Sequence, residues 1–98
     1  MAYEPIPQPL LNVLKGVLHA NLFSTWRNDL VRWDMRNPEQ SSQLRRQLAM
    51  AALTDAVDPT LFLKLTGHWV TDAASTRAWF TQVYTQFYGR PPEPFDIA

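Results

Sequence analysis

The sequence predicts an all-α fold, a compact bundle of four or five short helices with extended, proline-rich N- and C-terminal ends. Three observations carry this. Apolar residues recur at three- and four-residue intervals along most of the chain, and proline or glycine stands where those rows break. No stretch of strand length alternates apolar with polar residues, and no hairpin dipeptide appears. A length of 98 residues suffices for one core, so a single helical domain over 1–98 is expected. The 46% apolar share supports a packed interior, and four Trp argue against disorder away from the ends.

Pro5, Pro7 and Pro9 each fix φ and withhold an amide donor, which makes residues 1–8 an extended arm. Pro9 can open a first helix, in which Leu10, Leu14, Val17 and Leu18 form a row despite Gly16. Asn21 or Ser24 can cap a second helix whose Phe23, Trp26, Leu30 and Trp33 share one stripe, placing both indoles in the core. Asn37-Pro38 ends it, because the residue before proline is pushed out of the α region. Ser41 or Ser42 can cap a third helix reaching Val57, with Leu44, Leu48 and Ala52 in one row. Asp58-Pro59 starts a fourth, carried by Leu61, Phe62, Leu65 and Trp69, with Gly67 at its end. Thr71 or Asp72 caps a fifth, which runs to about Tyr88 and stops at Gly89.

The last helix departs from the usual pattern. Trp79, Phe80, Val83, Tyr84, Phe87 and Tyr88 cover about half its circumference, more than the apolar stripe of a one-sided surface helix. Its other side, Thr81, Gln82, Thr85 and Gln86, is uncharged. Such a helix either lies centrally in its own domain or offers aromatic surface to another molecule. Under the second reading Trp79, Phe80, Tyr84, Phe87 and Tyr88 are partner-binding anchors, with Arg77 and Arg90 at the rim, since interfaces favour aromatics and Arg. The tail over 90–98 is expected to be extended, and its Pro91 and Pro94 favour polyproline II or a frayed end.

Composition narrows the function classes. Nine Lys plus Arg balance nine Asp plus Glu, leaving no overall field to attract nucleic acid or anionic lipid. With no cysteine, thiolate chemistry and zinc–cysteine sites are excluded. The opening MAYEPIPQP lacks the pattern of a secretory leader and no apolar run reaches membrane-span length, so a cytoplasmic protein is expected. His68 and Asp72 have i,i+4 spacing but no third ligand in sequence, and no metal or other cofactor is expected. Asp55 and Asp58 have local roles, in a last helical turn and at a cap, and no nucleophile elbow or phosphate loop is present, so an enzyme is not expected.

The sequence thus points to a small non-enzymatic protein-binding module: an adaptor, inhibitor or accessory subunit docking on a larger protein or on a second copy of itself. The alternative is a nucleic-acid-binding regulator with a helix-turn-helix layout around residues 41–69, using Arg45 and Arg46.

Overall fold

The computed structural model describes residues 5–97, apart from the Leu22 side chain; the first four residues of the expected N-terminal arm and Ala98 lie outside them. Five α-helices follow one another: α1 (Leu10–Lys15), α2 (Trp26–Arg36), α3 (Ser41–Leu53), α4 (Pro59–Thr66) and α5 (Ala73–Tyr88). Short 3-10 turns occupy Ala20–Thr25, Pro38–Gln40 and Pro94–Ile97, and no strand occurs among the described residues. The fold is the expected all-α bundle.

Three boundaries differ from the sequence expectation, each for a local reason. First, α1 stops at Lys15 instead of reaching Leu18, because Gly16 leaves the helical region at φ −113° and ψ −86°. The chain turns there through a wider loop, with the Leu18 amide donating to the Val13 carbonyl five residues back at 2.9 Å, and Leu18 still reaches the core. Second, neither Asn21 nor Ser24 caps α2. His19 instead accepts the Asn21 amide through Nδ1 at 3.1 Å and opens a 3-10 turn, which delays α2 to Trp26. Third, α3 ends at Leu53, four residues before Val57, where Thr54 turns extended and its hydroxyl donates to the Met50 carbonyl at 2.6 Å. Asp55 therefore lies beyond the helix. Ser41 does not cap α3 either; its hydroxyl donates to Asp34 Oδ1 at 3.0 Å and ties the start of α3 to α2.

The remaining ends follow the sequence signals. Asp58 accepts the Thr60 amide at 3.1 Å, and Asp72 forms a capping box with Ser75. Gly67 and Gly89 close α4 and α5 in the left-handed region, at φ 74° and 85°, where any side chain would be strained.

Helix α5 packs most extensively on α3, whose Ala49, Ala51 and Ala52 are buried and permit close approach. Leu44 and Leu48 of α3 meet Phe80, Val83 and Tyr84 of α5 in the core, joined by Leu10, Val13 and Leu14 of α1, Leu30 of α2 and Phe62 of α4. The arm is docked through Ile6, which is buried, and through Gln47 of α3. That carboxamide donates to the Gln8 carbonyl at 2.8 Å and accepts the Leu10 amide at 3.0 Å.

Candidate partner-binding surface

The aromatic helix is central to its own domain. Phe80 and Tyr84 are fully enclosed, so these two of the five aromatic anchors expected from the sequence have no surface to offer a partner. Trp79, Phe87 and Tyr88 are half-buried and pack against the core. The wide aromatic stripe is explained by the number of neighbours it meets. Phe80 contacts Phe62 edge-on at 5.3 Å, Trp79 contacts Phe62 at 4.8 Å and His68 at 4.9 Å, and Phe87 reaches Trp26 at 6.2 Å. Phe23 completes the group, 5.6 Å from Trp26 and 4.4 Å from His68.

The arginines around α5 are engaged within the chain. Arg77 pairs with Asp55, which holds the loop after α3 to α5. Arg90 forms a two-pronged pair with Asp96, at 2.8 and 3.0 Å, and lies 5.0 Å over the Phe95 ring. The tail is accordingly not extended throughout, contrary to the expectation from the sequence: residues 91–93 are without regular structure. Residues Pro94–Ile97 form a 3-10 turn packed on α3, where Arg46 donates to the Ile97 carbonyl at 3.4 Å. Arg90, the Glu93 amide and the Tyr84 hydroxyl together hold the Asp96 carboxyl down to about 2, Arg90 contributing most.

Arg45 is likewise turned inward. Its Nε donates to the Tyr84 hydroxyl at 2.9 Å, and its guanidinium lies 4.6 Å over Tyr88. The Tyr84 side chain that it bonds is fully buried, so Arg45 cannot turn to a phosphate without giving up a charge-assisted hydrogen bond at the edge of the core. One turn on, the Tyr88 hydroxyl is buried with no hydrogen-bond partner; burial first, and the nearby Asp34 second, push its pKa far up.

His68 and Asp72 do not come together as a ligand pair, because α4 ends at Thr66. His68 Nε2 donates to the Leu18 carbonyl at 2.8 Å, while Asp72 caps α5. Among the described residues no three His, Asp or Glu side chains converge on a metal-sized site. A cleft of about 640 Å³ lies between α1 and the end of α2, lined by Gln8, Pro9, Asn12, Trp33, Asn37, Gln40 and Gln43, and none of these titrates. Among the described residues no helix is long and apolar enough to cross a membrane.

The outstanding apolar exposure lies elsewhere. Trp69, expected from its spacing to extend the apolar row of α4, stands beyond Gly67 in the loop before α5 and is 79% exposed. In this loop the side chains alternate: His68 and Val70 turn toward the core, and Trp69 turns out. The loop is pinned on both sides. The His68 amide donates to the Thr66 hydroxyl at 3.1 Å, and the Thr71 amide donates to Ser75 Oγ at 3.0 Å. Met35, on the outer side of α2, is 76% exposed, with Val31 one turn before it also exposed. Gly67 between Leu65 and Trp69 was the signal that could have separated this Trp from the helix. Comparison with family models, with curated proteins and with solved structures found no match to this chain.

Proposed function

We propose that this chain is a small non-enzymatic protein-binding module, an adaptor, inhibitor or accessory subunit that docks on a larger protein. The observation that carries the reading is Trp69, an indole almost fully exposed on a loop fixed by hydrogen bonds. A Trp side chain buries roughly 150–250 Å² when covered, which at about 25 cal/mol per Å² is about 4–6 kcal/mol of gross stabilisation. Because His68 and Ser75 already order the loop, little further conformational entropy is lost on docking. In this reading Trp69 takes the anchoring role that the sequence suggested for Trp79, Phe80, Tyr84, Phe87 and Tyr88. Arg45 and Arg46, the cations of the nucleic-acid alternative, both make internal bonds, and no observation favours that reading.

The test is a photo-crosslinker, p-benzoylphenylalanine, placed at position 69 of the full chain in the cell that makes it. The control is the same group at Gln82, which is exposed on the polar side of α5. A discrete crosslinked complex from position 69 and not from position 82 is the expected result. Equal, diffuse crosslinking from both positions would remove the proposal, and a complex twice the mass of the chain would identify the partner as a second copy.

A further inference from the structure

Helix α2 presents two neighbouring rows to solvent. Arg27, Val31 and Met35 follow one another at four-residue spacing, and Asn28, Arg32 and Arg36 form the row beside them; all six side chains are exposed. The opposite side holds Trp26 and Leu30 in the core, so this outer face takes no part in packing the domain. Both carboxylates of the helix are turned into local bonds. Asp29 accepts the Thr25 hydroxyl at 2.8 Å and Arg32 at 3.2 Å, and Asp34 accepts the Ser41 hydroxyl. Arg36 makes no ion pair among the described residues, and Arg27 lies 5.9 Å over the Trp26 ring. The result is an apolar pair beside a basic row on a chain whose net charge is zero.

We propose that this face docks an acidic amphipathic helix of a partner protein. The partner's apolar row would lie on Val31 and Met35, and its carboxylates would meet Arg27, Arg32 and Arg36, whose planar guanidinium groups suit paired contacts with carboxylate oxygens. The proposal rests on the reading of the chain as a protein-binding module and names the class of partner. Charge complementarity selects the occupant. A second copy of this chain fits poorly, because α1, α3, α4 and α5 contain no acidic residue and the two in α2 are already bonded.

The experiment uses the full chain and two fluorescein-labelled helical peptides that share a Leu face, one flanked by Glu and one by Lys, read by fluorescence anisotropy at low and physiological salt. The acidic peptide should bind about ten-fold more tightly than its Lys twin, with the gap narrowing as salt rises. Arg32→Glu with Arg36→Glu should reverse the preference, and Arg36→Glu alone, which breaks no internal bond, should narrow it. Met35→Ser should weaken the acidic peptide without changing the preference. Equal binding of the twins, an unchanged preference in the charge-reversed variants, or binding only to phosphatidylserine vesicles would overturn the proposal. If neither peptide binds while position 69 still yields a discrete complex, this inference fails and the protein-binding reading stands.

Discussion

Two substitutions of identical chemistry, one turn apart on α5, should change stability in opposite directions. Tyr84→Phe removes a hydroxyl that accepts from Arg45 at 2.9 Å inside the core. A hydrogen bond to a charged group contributes about 1.5–3 kcal/mol, and its loss also leaves the Arg45 Nε without its acceptor. Tyr88→Phe removes a buried hydroxyl that bonds to nothing, and deleting such a group relieves a desolvation penalty of about 1–3 kcal/mol while its ring keeps the stacking with Arg45. Urea unfolding followed by far-ultraviolet circular dichroism reads both. At about 4–8 °C per kcal/mol for a domain of this size, thermal midpoints should separate by more than about 10 °C. The reasoning is refuted if Tyr88→Phe costs more than about 1 kcal/mol, or if Tyr84→Phe costs nothing.

Phe80→Ala should cost about 3–5 kcal/mol, a large part of the stability of a small domain, because it opens a cavity against Phe62 and Trp79; a urea-measured loss below about 1 kcal/mol would place α5 outside the core. His68 is held below its ordinary value of 6.5, chiefly by burial. The unfolded chain therefore takes up that proton first, and stability present above pH 6.5 should decline as the pH falls below it, less steeply in His68→Gln, as urea midpoints at pH 7.5 and 5 would reveal. Asp96 is depressed from 3.8 to about 2, so docking of the tail should be intact at neutral pH and weaken as the pH falls through that interval. Amide exchange over residues 90–97 should report the release, and Asp96→Asn should release the tail at pH 7.

The helical rows and their punctuation were legible because they are local. Asp58, Pro59, Gly67, Asp72 and Gly89 act within a few residues of themselves, and each terminus they imply is present. The shortened α1 and α3 were less legible because a helix end is settled by small competing terms, such as the Thr54 hydroxyl bonding back to Met50. The aromatic richness of α5 was read correctly as exceeding a one-sided stripe, but the choice between core and surface depended on Phe23, Phe62 and His68 arriving from distant segments. Gln47 clamping the N-terminal arm, Arg45 bonding Tyr84 and Arg46 meeting Ile97 are pairings across 37 to 51 residues, and no spacing rule reaches so far. Trp69 was misread because its i+4 position after Leu65 fits a helix; the intervening Gly67 gives the chain the left-handed turn that carries the indole outward.

Hydroxyl-radical footprinting with mass spectrometry measures the accessibility of each aromatic side chain in one experiment and bears directly on the claim that α5 forms the core while Trp69 faces outward. Trp69 should be oxidised fastest among the four Trp, with Trp79 slower and Phe80 and Tyr84 protected until the chain is unfolded. Oxidation of Phe80 and Tyr84 at the rate of Trp69 in the folded protein would contradict the claim and return the aromatic helix to the surface.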